Sequence, residues 1–240
     1  MLCVMRISLP DRPGALAAVS AALGQSGTDI VTLDVVDRID GIAIDDLCVN
    51  TAADYDGLCL ETPDEFGVML RHMIEEVPGV FVEVFRPVDS PRSLTAPLEL
   101  AADLAMTNEG KLDLLVTQLP EALWASWCAV IEVSPSARML ASSRGSPLDE
   151  IQELLRVPLL FAESAQRMSP GMWMPPAWRM RASMGAFELA AVPMDTPDRI
   201  LLLARHSGVR FRPSELRNLQ LLVDIAGATQ PLFETADALG

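Results

Sequence analysis

Two prolines within four residues fix where the first strand of this chain stops and where its first helix starts. Leu2 to Leu9 alternates, with Cys3, Met5, Ile7 and Leu9 on one face and Arg6 and Ser8 on the other, the period of a half-buried β-strand. Pro10 has no amide to give to a ladder and ends it. Asp11-Arg12-Pro13-Gly14 then opens a helix: Asp11 is placed to cap, Pro13 suits the first turn, and Leu16, Val19 and Leu23 share one face until Gly27.

The next elements follow the same punctuation. Thr28 to Val36 and Ile42 to Val49 are β-branched runs joined by Asp37-Arg38-Ile39-Asp40-Gly41, where Asp40-Gly41 supplies the positive φ angles of a hairpin. Residues 50–61 read as loop. Thr62-Pro63-Asp64-Glu65 combines a capping box with a proline at the first helical position, and Phe66, Met69, Leu70, Met73, Ile74 and Val77 recur at helical spacing. Pro78-Gly79 ends that helix, and Val80, Val82 and Val84 begin a last strand. The order is βαββαβ, in which both helices must cover one face of a four-stranded antiparallel sheet, a ferredoxin-like unit.

At this point the segment RISLPDRPGALAAVSAALGQSGTDI resembles the ACT family, through its Asp-Arg-Pro-Gly turn, the following Leu16 and a second strand beginning at Asp29-Ile30. The resemblance implies an amino-acid site at a dimer interface, walled by the loop after the first strand and the start of the first helix. It points to Asp11, Arg12, Gly14, Ala15, Leu16, Asp29 and Ile30. The chemistry is available: Gly14 admits a ligand close to the backbone, helix amides and dipole favour a carboxylate, and Asp11 or Asp29 accepts from an α-ammonium group. The same residues have a purely structural reading, with Asp11 capping the helix and Gly14 relieving crowding against the sheet. The acidic string Asp34, Asp37, Asp40, Asp45 and Asp46 lacks the close spacing of a calcium loop and reads as a solvated edge.

Pro87 to Pro97 is proline-rich and reads as a linker, giving an ACT-like domain over 1–88, a linker over 89–97 and a second domain over 98–240. In that second part Leu98 to Leu119 reads as helix disturbed around Asn108-Glu109-Gly110. Trp127 to Val133 and Met139 to Ser142 read as strands, as do Ala186 to Met194 and Arg199 to Arg205. Pro213 or Ser214 starts a closing helix with Leu216, Leu219, Val223 and Ala226 on one face. RILLLAR, Gly208, Phe211, Glu215 and Leu216 before that long helix are similar to a GAF domain, and the fold class expected for the whole is α+β, the ACT-like unit followed by a GAF-like α/β sandwich. No strands are placed in 157–185, where Met168, Met172, Trp173, Met174 and Trp178 among prolines form the lid of an apolar pocket, or else complete a small core or a dimer contact.

Composition limits the function. With 18 basic and 33 acidic residues the net charge is −15, which opposes the phosphate neutralisation on which nucleic-acid affinity rests. No stretch of about 18 apolar residues and no basic-then-apolar leader is present, so a cytoplasmic chain without membrane spans is expected. Cys3, Cys48, Cys59 and Cys128 have no CxxC spacing and read as buried thiols. His72 and His206 stand apart from any nucleophile turn, metal pair or phosphate loop, and Asp45-Asp46 point to opposite strand faces, so no enzyme, cofactor or metal is expected. The reading is a homodimeric regulatory protein that binds an amino acid or similar small metabolite and signals to a protein target of unknown identity; the alternative is an assembly module without a ligand.

Overall fold

The computed structural model describes residues 1–51, 63–88, 95–132, 138–154, 164–196, 198–206 and 209–228, and the chain divides into two units, Met1–Leu94 and Thr95–Gly240. Thr62, Cys59 and Gly208, and residues 89–94 of the expected linker, lie outside the described residues. The architecture is α+β: a ferredoxin-like βαββαβ unit, then an antiparallel sheet with helices on both faces, as in a GAF-like sandwich. No described helix is long and apolar enough to cross a membrane.

In the first unit β1 (Leu2–Pro10), α1 (Ala15–Gln25), β2 (Thr28–Ile39), β3 (Ile42–Thr51), α2 (Pro63–Glu75) and β4 (Phe81–Pro87) build one sheet of order β2-β3-β1-β4, every pair antiparallel. Cys3, Met5, Ile7 and Leu9 face Val19 and Leu23 of α1 and Phe66, Leu70 and Ile74 of α2 in one core. Burying each such side chain contributes about 1.5–3 kcal/mol. Three expectations are corrected. The hairpin is tighter than the five-residue connection, because β2 runs to Ile39 and only Asp40 and Gly41 turn, with φ of 52° and 77°. The first helix starts after the proline, at Ala15, with Gly14 and not Asp11 at its cap position. The face of β1 that carries Arg6 is covered and not solvated: Arg6 is 2% exposed, held by Asp46 through hydrogen bonds of 2.7 and 2.8 Å.

In the second unit α3 (Ala96–Met106) and α4 (Lys111–Ala122) replace the single disturbed helix, broken where Gly110 takes a φ of 74°. Pro97 sits in the first turn of α3, so residues 96 and 97 are helix and not linker. β5 (Trp127–Glu132), β6 (Arg138–Ser142), β7 (Gln166–Arg167), β8 (Glu188–Pro193) and β9 (Arg199–Arg205) form a sheet of order β6-β5-β9-β8-β7. Cys128, Val130, Leu201 and Leu203 pack on Leu104, Leu115 and Leu119 of α3 and α4, and on Leu219 and Val223 of α7 (Pro213–Gly227). Trp127, Ala129, Ile131 and Leu202 face the other way, onto Ile151 of α5 (Leu148–Leu154) and Trp178 of α6 (Pro176–Ser183). The stretch left without elements therefore holds β7 and α6.

Arg205, 1% exposed, ties β9 to the start of α7. Its guanidinium donates twice to the Glu215 carboxylate, at 2.6 and 3.2 Å, and once to the Leu123 carbonyl, and lies 4.1 Å over the Phe211 ring. Glu215 also accepts the Arg212 amide at 2.8 Å, closing the helix start. Glu215→Ala strands a buried cation and should cost about 3–5 kcal/mol, whereas Arg205→Met combined with Glu215→Leu should cost far less. Urea unfolding followed by tryptophan fluorescence checks this in the second unit, where every tryptophan resides.

Candidate functional site

The β1–α1 loop is held by backbone bonds, which leaves its side chains and the helix start available. The Asp11 amide donates to the Gly41 carbonyl and the Arg12 amide to the Pro10 carbonyl, both at 2.8 Å, so the loop is tied to the hairpin turn. Gly14, at φ 87°, reverses the chain into α1, and no side chain caps that helix. The Ala15 amide is spent on the Arg12 carbonyl at 3.2 Å, while the amides of Leu16 and Ala17, at the second and third helical positions, have no intrahelical acceptor. A Cβ at Gly14 would meet nothing within 4 Å, which removes the crowding explanation for this glycine and leaves its backbone angle and open surroundings.

Around this point Asp11 and Arg12 are exposed, Ala15 is buried and Leu16 half-buried. Asp11 lies 3.8 Å from the Arg38 guanidinium of β2 in an exposed ion pair. Asp29 and Ile30 do not join them within one chain. Asp29 stands opposite Asn50, whereas Pro10, next to the loop, stands opposite Ile42. At roughly 3.3 Å per strand residue the two places are about 26 Å apart along β3.

One member of the acidic string expected at a solvated edge is buried inside the sheet instead. Asp45 of β3 stands between Ile7 of β1 and Val35 of β2, is 3% exposed, and its Oδ1 has no hydrogen-bond partner. Burial pushes its carboxyl above the usual range and the nearby charges of Asp46, Asp11 and Asp34 add to this, while Arg38 opposes it. Asp46 is likewise buried, so two members of the acidic string belong to the interior. The signal was present: adjacent acids on one strand must face opposite ways, so a strand buried on both faces buries both.

In the second unit Trp178 is fully buried and Met174 is 2% exposed, so these two complete a core; Met172, 84% exposed, does not. Trp127, Trp178, Phe187 and His206 form a chain of ring contacts at 5.3–5.8 Å. The buried Trp127 indole N–H donates to His206 Nε2 at 3.1 Å, which places any imidazole proton on Nδ1. The Trp178 indole donates to Glu150, which also accepts from Arg181 at 2.8 Å. A separate cleft of about 480 Å³ is lined by Lys111, Asp113, Leu140, Met194, Asp195 and Arg199. Lys111 is committed to the Ala228 carbonyl and Arg199 to Glu132. Cys3, Cys48 and Cys128 are buried thiols outside any disulfide, and no cluster of metal-ligating side chains occurs among the described residues.

No protein-family model and no curated protein matches the chain. Solved structures similar to it include ACT and GAF domains. The ACT domain from a GTP pyrophosphokinase of Chlorobium tepidum is 20% identical, over 37% of this chain and 97% of that one, with a TM-score of 0.26. The GAF domain from a phosphoenolpyruvate-protein phosphotransferase of Coxiella burnetii is 15% identical, over 56% and 92%, with a TM-score of 0.35. A formyltetrahydrofolate deformylase from Pseudomonas putida KT2440 is 12% identical, over 95% and 94%, with a TM-score of 0.34. The fold assignment rests on the strand order and connections described above.

Two outcomes follow from this geometry. Gly14→Val should destabilise the first unit by at least about 1–2 kcal/mol through its left-handed φ alone, without any clash, as read by urea unfolding followed by far-UV circular dichroism. Burial, and after it the Arg181 charge, lowers the His206 pKa, with Glu150 opposing. The unfolded chain therefore takes up the proton first. The stability contributed by neutral His206 is complete above about pH 6.5 and declines as pH falls from there through the folded-state value. Thermal melts across that range should show the loss, and His206→Gln, whose amide oxygen still accepts from Trp127, should flatten it.

Proposed function

We propose that this protein is a non-catalytic, small-molecule-binding regulatory protein whose ligand, an amino acid or a close relative, sits at the β1–α1 loop. The observation that carries the reading is the uncapped start of α1: Gly14 at a left-handed angle, open space above it, and two helix amides without intrahelical acceptors beside Asp11. A carboxylate suits the amides and the helix dipole, and Asp11 suits an ammonium group. Arg12, Ala15 and Leu16 complete the wall. Asp29 and Ile30, being at the far end of the sheet, contribute only from a second copy in a homodimer.

The second unit adds a transmitting or assembling role in this reading, and a downstream protein receives the signal. Direct binding to nucleic acid or membrane has no support in a chain of net charge −15 without a spanning helix among its described residues. One observation favours the alternative of assembly without a ligand: β2 is a long edge strand, 12 residues, carrying exposed Val31 and Val35.

Thermal stability of the full chain against each standard amino acid separates the two. A ligand at 100 times its Kd stabilises by about 2.7 kcal/mol, so a selective upward shift is expected. No shift with any amino acid at millimolar concentration, together with a dimer in sedimentation, would leave the assembly reading.

A further inference from the structure

Asp45 and Asp46 are neighbours on β3, and the strand period sends them to opposite faces. Asp46 accepts the Arg6 fork. Asp45 is flanked across the sheet by apolar Ile7 of β1 and Val35 of β2, and its buried Oδ1 receives no hydrogen bond. The charged groups that act on it are Arg38 and Asp34 of β2, Asp46 beside it and Asp11 of the loop. Arg38 is the one cation among them, and it also approaches Asp11 at 3.8 Å. α1 carries no titratable side chain, and Arg71 and Glu75 of α2 bond the Val82 backbone in β4, two strands away. An ionised carboxylate in that place costs free energy, and the cost falls if water reaches it. The edge of the sheet is where water can enter. β3 and β1 are each paired on both sides, whereas β2 is an edge strand paired with β3 only. Its ladder is also irregular beside Asp45: the register shifts between Val35, which stands opposite Asp45, and Asp37, which stands opposite Ile44. A bulge disrupts the ladder locally, so residues 35–39 can leave β3 at less cost than β1 can.

We propose that Asp45 is a proton-operated latch on the tip of the β2–β3 hairpin: with its carboxyl protonated the tip stays zipped, and with the carboxylate ionised residues 35–39 open to hydrate it. Burial, the largest influence, holds the folded-state carboxyl above its ordinary value; Asp46, Asp11 and Asp34 add to this and Arg38 opposes it. A carboxyl raised in this way contributes stability that is complete below the unfolded-state value, about pH 4, and is lost as pH rises through the folded-state value. The tip is therefore tightest in acid and loosest at neutral pH, the reverse of the His206 response in the second unit. The Asp11 amide donates to the Gly41 carbonyl at this tip, so opening also loosens the β1–α1 loop. The latch stands whether or not that loop binds a ligand.

The test is amide hydrogen exchange of the full chain, read by peptide mass spectrometry from about pH 4 to about pH 8, for wild type, Asp45→Asn and Asp45→Leu. At each pH wild type and variant share the intrinsic rates of residues 35–39, so the ratio of their exchange rates reports opening alone. The expected ratio of wild type to Asp45→Asn is near unity at the acid end and climbs several-fold towards neutral pH, while the ratio for residues 82–87 of β4 stays flat. Asp45→Leu should exchange more slowly than wild type at neutral pH. A ratio for 35–39 that does not change with pH, as a merely structural role would give, overturns the latch. So does exchange in both variants as fast as in wild type at neutral pH. Should both variants fail to fold, wild type decides: with intrinsic rates divided out, protection of 35–39 must fall with rising pH relative to that of 82–87, and parallel profiles overturn the proposal.

Discussion

Both units are organised around an arginine that has nowhere to go except to a carboxylate. β1 lies inside its sheet and every side chain from Cys3 to Ile7 is buried; β9 lies inside the other sheet and every side chain from Ile200 to Arg205 is buried. A cation on such a strand loses its hydration, and the loss is offset only by a partner of matching geometry. Arg6 finds Asp46 and Arg205 finds Glu215, each through two guanidinium nitrogens on two carboxylate oxygens. The forked shape of the guanidinium matters, since a lysine ammonium would leave one of the two acceptors short. These pairs therefore act less as sources of stability than as constraints on arrangement. Arg6 fixes which residue of β3 stands opposite it, and Arg205 fixes where α7 begins.

The parts of the fold legible from the residues were those written in punctuation and period. Pro10, the Asp40-Gly41 turn, the Phe66–Leu70–Ile74 face of α2, the run Arg199–Arg205 and the proline at the start of α7 all mark elements where the structure has them. What escaped was set by partners distant in sequence. Alternation placed Arg6 opposite the core-facing Cys3, Met5 and Ile7 correctly, but alternation says nothing of whether the second face is covered, and Arg6 is 2% exposed. α6 escaped because Trp178 is its one buried residue, so the helix has no repeating apolar face to read. The start of α1 was misplaced because an aspartate before Pro-Gly is an ordinary capping signal, yet the left-handed Gly14 turns the chain before a cap can form.

Of the candidate site, the loop was legible and its depth was not. Asp11, Gly14 and the helix start stand together because they are consecutive, whereas Asp29 and Ile30 were grouped with them by resemblance and lie at the other end of the sheet. Asp45 is buried only through the pairing of three strands, which no single segment records.

That pairing also explains why Asp45, of two adjacent acids, is the one whose Oδ1 is buried without a donor. The Asp40-Gly41 turn allows only two residues between Ile39 and Ile42, and so fixes the β2–β3 register from its tip, while Pro10 opposite Ile42 fixes β1 against β3. A slip of one residue would turn Asp45 toward Arg6 and carry Asp46 into the apolar core. The register therefore assigns the two acids different work. Asp46 neutralises a strand that cannot fold with a bare cation, through two hydrogen bonds from Arg6. Asp45 answers no such need: an apolar residue between Ile7 and Val35 would suit the core better and would face no acidic neighbours. A group that folding alone disfavours is thus held in the interior by the register that the turn sets.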